Sequence, residues 1–241
     1  MRGIILSGGS GTRLRPLTKI TSKQLLPVYD KPMIYYPLNT LIKAGIKEIL
    51  IIVAPERAGD YLNLLGSGKE FGASFTYEIQ DEPRGLADAF VIGENFIDDE
   101  DVVLILGDNI IEDDVSDEIK SFKGGAKAFV KKVPDPERFG VVKFDDKGKA
   151  VQVEEKPSKW ISDHALIGLY VYDHRVVDLA KGVKPSQRGE LEITDLHRWY
   201  LEKGELEVSE IKGEWIDAGT MESLHRAQIF AREKMKGKMV I

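Results

Sequence analysis

The sequence predicts an α/β fold: a Rossmann-like, doubly wound mixed sheet with helices on both faces and β-hairpins added in the second half. Three observations carry this expectation. Short strand-like runs alternate with helical patterns through the first half of the 241 residues, in βαβα order. Two of these runs, Ile49-Leu50-Ile51-Ile52-Val53 and Val102-Val103-Leu104-Ile105-Leu106, show no polar alternation, as parallel strands covered on both faces require. Beyond residue 125 the strands instead follow one another across short turns, the mark of hairpins.

In chain order, strands are expected at 3–6, 48–53, 74–79 and 102–106, and helices at 33–44, 56–65, 86–96 and 115–122. Further strands read at 126–133, 139–144, 151–156 and 165–172, with Asp145-Asp146-Lys147-Gly148 as one of the turns. Helices return at 174–181, 193–203 and 220–236, the second preceded by Pro185-Ser186-Gln187-Arg188-Gly189. No internal repeat or linker interrupts the chain, so a single domain over 1–241 is expected. Its nucleotide-binding half is approximately 1–125, and a second-ligand half with the C-terminal helix occupies 126–241. Open sheets of this kind bind ligands beyond the carboxyl ends of their strands, which directs attention to the residues just after Leu6, Val53, Ile79 and Leu106.

Composition narrows the classes of function. With 42% hydrophobic and 31% charged residues, 23 Gly and 10 Pro, the chain is neither disordered nor collagen-like. The longest apolar run, 165–172, falls well short of the ~18 residues of a membrane span. The apolar stretch 3–6 is too short for the core of a signal peptide, so export is not expected. Zero cysteines exclude disulfides, thiolate metal sites and cysteine nucleophiles, which fits a cytoplasmic location. A net charge of −6 gives no general attraction to nucleic acid. Residues 1–29 nevertheless carry Arg2, Arg13, Arg15, Lys19 and Lys23 and no acid at all, so an acidic protein opens with a local anion site.

Ser7-Gly8-Gly9-Ser10-Gly11-Thr12-Arg13 follows the first strand directly, and glycines there let backbone N–H groups approach a phosphate chain without Cβ obstruction. Two familiar phosphate loops are excluded. A P-loop needs a lysine directly after a glycine, which this loop lacks. A dinucleotide fingerprint needs a third glycine where Leu14 stands and an acid where Ala54-Pro55 end the second strand.

Gly8-Gly9-Ser10-Gly11-Thr12-Arg13-Leu14, followed by Lys23-Gln24-Leu25-Leu26-Pro27-Val28, resembles the signature of the sugar-phosphate nucleotidylyltransferases. Tyr29-Asp30-Lys31-Pro32-Met33-Ile34-Tyr35-Tyr36-Pro37-Leu38 is similar to the glucose-1-phosphate thymidylyltransferase branch of that family. The resemblance continues through 80–87, Gly107-Asp108-Asn109, 136–142, Glu154-Glu155-Lys156-Pro157, 185–195 and Trp215-Ile216-Asp217, and spans 1–229. It implies transfer of a thymidylyl group from dTTP to glucose 1-phosphate, giving dTDP-glucose and pyrophosphate, an early step towards deoxysugars such as rhamnose. UTP- or CTP-dependent transfer on the same machinery, or a nucleotide-sugar sensor without turnover, are the alternatives. Mg²⁺ is the implied cofactor, a homo-oligomer is implied, and neither nucleic acid nor membrane is an expected partner.

The chemistry makes modest demands. The attacking sugar phosphate is already an anion with a second pKa of ~6, so no general base is needed. The remaining task is to bring two polyanions together and stabilise the in-line transition state. His164, His174, His197 and His225 are isolated and read as surface or structural residues. By resemblance Arg13 holds the triphosphate, its planar guanidinium forking onto phosphate oxygens, and Lys23 lies between the phosphates of the two substrates. Leu6, Gly8, Gly9, Gly11, Thr12 and Gln24 are implied around the nucleotide, with Gln80 and Gly85 at the base. A primary amide can pair with thymine or uracil alike, so Gln80 does not separate dTTP from UTP.

Asp108 and Asp217 each end an apolar stretch and resemble the family's metal pair, suited to a hard cation shared with substrate phosphates. Glu112, Asp113 and Asp114 read instead as a solvated turn and helix start. For the sugar phosphate the candidates are Asn109, Gly140, Glu155, Lys156 and Arg188. Glu155 and Lys156 would point to opposite faces of an ideal strand, unless the strand ends before Pro157. Segment 158–164 departs from the family pattern, and so bears on sugar selectivity. The sequence ends at Ile241, where longer thymidylyltransferases continue into a helical segment, so weak or absent feedback by dTDP-rhamnose is expected.

Overall fold

The computed structural model describes residues 1–237 and Met239, so Ile241, on which the feedback expectation rests, lies outside the described residues. The chain forms two compact units. One contains Met1–Pro83, Leu104–Lys120 and Gly213–Ile241; the other contains Arg84–Val103 and Ser121–Lys212. Each unit draws on both sides of residue 125. Each combines helices with sheet, and strand directions are mixed, in line with the expected α/β class.

In the first unit, Arg2–Ser7, Glu48–Val53 and Ser74–Ile79 pair in parallel, with Gly3 opposite Ile49 and Ile49 opposite Phe75. Residues 104–106 of the strand Val102–Leu106 lie on the other side of Arg2–Ser7. Ile4, Ile5 and all of 49–53 have no solvent exposure, which explains their unbroken apolar sequence. Ser74–Ile79, at the end of the strand order, buries Phe75 while Ser74, Thr76, Glu78 and Ile79 stay exposed.

The helices largely follow the expected pattern, with differences at their ends. The 56–65 pattern opens as a tight turn at Pro55–Arg57, where proline presets the backbone, before Ala58–Leu65 becomes α-helical. The helix expected at 86–96 divides at Gly93 into Asp88–Ile92 and Glu94–Ile97, because glycine weakens a helix interior. The last helix, Met221–Phe230, is started by a reciprocal capping box between Thr220 and Ser223 and widens into a π-turn at Ala231–Met235.

Two strand pairings join distant segments. Asn109–Ile111 runs antiparallel to Trp215–Asp217, with Asp217 opposite Asn109. In the second unit the strand order is Ala150–Glu155, Gly140–Phe144, His164–Tyr172, Ala126–Lys132 and Leu206–Glu210. The pairings there are antiparallel except for the last, in which Leu206–Glu210 runs parallel to Ala126–Lys132. His197 is fully buried in this unit, stacked on Tyr172 and with Nε2 2.6 Å from the tyrosine hydroxyl. Burial pushes its pKa down to about 3, so it is a neutral core residue, as its isolated place in the sequence suggests.

Candidate active site

The glycine loop turns the end of Arg2–Ser7 toward the short helical turn Thr12–Leu14. Gly11 has φ +61°, a conformation that glycine adopts without steric cost, and its carbonyl accepts from Thr18 Oγ1 at 2.8 Å and from the Leu14 N–H at 3.0 Å. Leu14 is thereby fully buried while Arg13 remains exposed. Gly8 makes a close approach of another kind: a Cβ there would run into the Gln80 carboxamide oxygen, so that side chain would have to shift. Gln80 is itself buried and anchored by its N–H to the Val53 carbonyl at 2.9 Å. The loop and the glutamine after the third strand are therefore neighbours.

Asp108 follows Val102–Leu106 and is buried. Lys23 donates to it directly in an ion pair, and the Asn109 amide donates to its other oxygen at 3.1 Å. Burial alone would raise the Asp108 pKa, but the Lys23 charge and hydrogen bond, with the Asn109 bond, hold it below the ordinary carboxylate value. Burial would likewise depress the Lys23 ammonium, and Asp108 first, then Asp217, outweigh that and raise it. Asp217 is brought here by the pairing of Trp215–Asp217 with Asn109–Ile111, locked by the Ala218 N–H to the Asp108 carbonyl at 2.9 Å. Burial and the adjacent Asp108 charge push the Asp217 pKa up to about 6, against the opposing influence of Lys23 and Arg13.

Glycines admit the cations to this cluster. A Cβ on Gly9 would lie 3.7 Å from Lys23 Nζ, and one on Gly219 would lie 2.8 Å from Asp217 Oδ1 and 3.0 Å from Arg13 Nη2. Arg13, Lys23, Asp108 and Asp217 thus converge beside the glycine loop. Two carboxylates, Asp108 buried and Asp217 half-buried with its proton affinity raised by burial and by Asp108, form a hard-oxygen pair that suits a divalent cation completing its shell with ligand oxygens. Among the described residues no group of three or more His, Cys, Asp or Glu side chains is placed to hold a metal without a ligand's help.

Two further polar groups complete this part of the first unit. The buried Gln24 carboxamide accepts through Oε1 from Ser22 Oγ at 2.8 Å and Tyr61 Oη at 3.1 Å. The Asn109 amide is used at both ends, since its oxygen accepts from Trp215 Nε1 at 2.6 Å.

In the second unit, Glu155 ends the strand Ala150–Glu155 and Lys156 adopts φ +40°, so Lys156 is released from strand alternation. With this strained backbone the strict opposite-face rule of an ideal strand no longer applies to Glu155 and Lys156. A Cβ on Gly140 would meet Leu166, Thr194 and, at 3.3 Å, the Glu155 carboxylate. Thr194 donates to Glu155 at 3.4 Å. Arg188 lies among carboxylates: Glu190 at 2.5 Å, Glu192 at 3.2 Å and Glu155 at 3.7 Å. Burial and then the Glu192 charge raise the Glu155 pKa. Gly85 has φ +117°, and a Cβ there would lie 2.5 Å from the backbone of Leu191, whose N–H and carbonyl bond to Arg84 and Ala87.

Residues 2–234 match the family model described as nucleotidyl transferase. The chain belongs to the nucleotidyl transferase family. A glucose-1-phosphate thymidylyltransferase of Neisseria meningitidis serogroup A is 54% identical over 238 residues, covering 96% of this chain and 83% of that protein. Its counterpart in Mycobacterium tuberculosis is 48% identical over 247 residues, covering 100% of this chain and 86% of that protein. A solved glucose-1-phosphate thymidylyltransferase from Bacillus anthracis, crystallised with sucrose, superposes with a TM-score of 0.92 at 48% identity, covering 97% and 96% of the two chains. A UDP-glucose pyrophosphorylase bound to UDP-glucose is more distant, at 25% identity and a TM-score of 0.84, covering 97% and 98%.

Within this nucleotidyl transferase, the first unit gathers Leu6, Gly8, Gly9, Gly11, Thr12, Arg13, Lys23, Gln24, Gln80, Asp108, Asn109 and Asp217, while Gly85, Gly140, Glu155, Lys156 and Arg188 belong to the second. Asn109 orients Asp108 here through the bond described above. Glu112 and Asp113 do more than solvate a turn: they accept the N–H groups of Glu214 and Gly213 at 3.0 and 2.8 Å, tying down the segment that leads to Asp217. Asp114 accepts from Ser116 at the start of its helix, as expected. Sequence reasoning missed Ser22, Tyr61, Trp215 and Thr194 as supports of the site. Each acts on a residue far away in sequence or through a common polar side chain, and none carries a local signal.

Proposed function

We propose that the protein transfers a thymidylyl group from dTTP to glucose 1-phosphate, forming dTDP-glucose and pyrophosphate. The observation that carries this reading is the convergence of Arg13, Lys23, Asp108 and Asp217 beside a glycine loop, in a chain about half identical to glucose-1-phosphate thymidylyltransferases along most of its length.

A phosphate oxygen of the sugar 1-phosphate forms a bond to the α-phosphorus of dTTP, and the bond from that phosphorus to the bridging oxygen breaks, releasing pyrophosphate. Proton transfer is not required, since both the nucleophile and the leaving group are anions. Arg13 is poised to fork onto the α- and leaving phosphoryl oxygens, where negative charge builds up in the transition state. Lys23, kept as an ammonium by Asp108, screens the approaching phosphates from one another. Asp108 and Asp217 would hold Mg²⁺, which supplies charge neutralisation at the phosphoryl oxygens. Leu6, Gly8, Gly9, Gly11, Thr12 and Gln24 surround the triphosphate and its sugar, and Gln80 and Gly85 take the base. In the second unit Glu155 accepts from sugar hydroxyls, Gly140 offers backbone at close range, and Lys156 and Arg188 face the sugar phosphate. Asn109 contributes through Asp108.

Of the named residues, those of the first unit serve the nucleotide and the metal, while in the second unit Gly85 serves the base and Gly140, Glu155, Lys156 and Arg188 the sugar phosphate. We further infer a cytoplasmic, homo-oligomeric enzyme; among the described residues no helix is long and apolar enough to cross a membrane.

The test is pyrophosphate release measured with dTTP, UTP, CTP, ATP and GTP, each against glucose 1-phosphate and other sugar 1-phosphates, with Mg²⁺ present. The reading expects the highest kcat/KM for dTTP with glucose 1-phosphate. A clear preference for UTP or CTP would overturn the nucleotide assignment, and absence of turnover with every pair would leave a binding protein.

A further inference from the structure

Three polar side chains fill the core behind the Lys23 turn. Tyr61, on the helix Ala58–Leu65, has no solvent exposure, Gln24 is 2% exposed and Ser22 is 8% exposed. A buried phenol, hydroxyl and carboxamide are costly to desolvate, unless each is satisfied and the arrangement has a use. The hydroxyl protons have a defined order. Tyr61 Oη is 2.8 Å from Ser22 Oγ and 3.1 Å from Gln24 Oε1, and Ser22 Oγ donates to the same Oε1 at 2.8 Å. Each hydroxyl has one proton, and in this arrangement both are directed, straight or in relay, to the carbonyl end of the amide.

The consequence lies at the other end of that amide. With Oε1 turned into the core, the Gln24 NH₂ group is committed to the opposite side as a pair of donors, and among the described residues no protein atom accepts from it. The side chain passes close to Gly107, where a Cβ would lie 2.9 Å from Gln24 Cγ. Gly107 precedes Asp108 at the carboxyl edge of its strand, the edge where ligands bind. Lys23 and Gln24 are adjacent on one short helical turn, Lys23–Leu25, so the cation and the amide donors are set by the same piece of backbone.

We propose that Tyr61, with Ser22, is a positioning residue that fixes the Gln24 carboxamide with its NH₂ toward an oxygen of the bound nucleotide. This inference rests on the reading above that Gln24 contacts the nucleotide. The relay makes the amide a donor only, matched to a ligand oxygen that accepts, and it removes the amide flip that would present a carbonyl to an oxygen-rich ligand. Tyr61 touches neither substrate and has no part in the chemical step; its effect is on nucleotide binding.

The experiment is a double-mutant cycle on the full chain. KM for dTTP and kcat are measured for Tyr61→Phe, Gln24→Ala and the double variant, with melting temperatures confirming that each is folded at the assay temperature. Tyr61→Phe removes the proton that starts the relay and keeps the ring. The expected result is a rise in KM for dTTP of about fivefold with kcat within about twofold, the scale of one hydrogen bond. A larger rise is expected for Gln24→Ala, with no further rise when Tyr61→Phe is added to it. Ser22→Ala, put through the same cycle, replaces Tyr61→Phe should that variant fail to fold. Independent, multiplying effects in the double variant would overturn the proposal, because a merely structural tyrosine acts whether or not Gln24 is present. An unchanged KM in Tyr61→Phe beside an impaired Gln24→Ala, or a fall in kcat alone, would also overturn it. An unchanged KM in Gln24→Ala would instead overturn the reading that Gln24 contacts the nucleotide.

Discussion

Replacing Asp217 by Asn should stabilise the metal-free protein while destroying its activity. The folded chain holds the Asp217 carboxyl at a pKa of about 6 against an ordinary 3.8, because burial and the Asp108 charge both oppose ionisation. The native state therefore binds this proton more tightly than the unfolded chain does. Stability falls as pH rises from about 4 to about 6, and above that the whole penalty is present. About two pH units at ~1.4 kcal/mol each give about 3 kcal/mol, an upper value because the residue keeps some contact with solvent. Asparagine keeps the shape and the oxygen that accepts from the Gly219 N–H at 3.1 Å, but carries no charge. At ~2–4 °C per kcal/mol for a chain of this size, Asp217→Asn should raise the melting temperature by about 5–10 °C in chelator at pH 7.5. At pH 4 the advantage should shrink, since the parent carboxyl is then protonated in the folded state. Calorimetry at both pH values measures it, and pyrophosphate release with Mg²⁺ measures the accompanying loss of turnover. A variant melting at or below the parent at pH 7.5, or an advantage as large at pH 4, would refute the electrostatic reasoning.

Arg13→Ala and Lys23→Ala should each lower turnover by at least ~10²-fold, the scale of a lost transition-state contact, and initial rates at saturating substrates test this. Asp108→Asn should cut kcat severely and weaken Mg²⁺ binding, read by rate against metal concentration; an unchanged Mg²⁺ dependence would remove Asp108 from the metal pair. Metal affinity itself should fall as pH drops through about 6, because Asp217 takes up a proton there, and a titration across pH 5 to 8 should show the decline. Gly85→Ala combines a positive φ with a Cβ 2.5 Å from the Leu191 backbone, and should cost about 2–5 kcal/mol in a denaturant titration.

Local residue chemistry determined much of this protein. The unbroken apolar run 49–53 announced a covered parallel strand, and 102–106 a strand buried in the sheet, since a strand covered on both faces must be apolar on both. Glycines between a strand and a helical turn announced a loop with Arg13 and Lys23 close by, and the structure keeps Lys23 beside Gly9 and Arg13 beside Gly219. The tertiary structure alone decided which groups meet. Asp108 and Asp217 are far apart in sequence and come together only because Asn109–Ile111 pairs with Trp215–Asp217, two short strands whose few residues carry too little periodicity to be read. The same holds for Leu206–Glu210, recruited by Ala126–Lys132. Gly8 looked like a loop glycine, yet it lies against the side chain of Gln80, and Tyr61 looked like a core aromatic, yet its hydroxyl reaches Ser22 and Gln24. Periodicity and turn chemistry are local and leave a trace in neighbouring residues. The proton affinity of Asp217, the charge state of Lys23 and the orientation of Gln24 arise from burial and from partners supplied by other segments, so they exist only once the chain has folded.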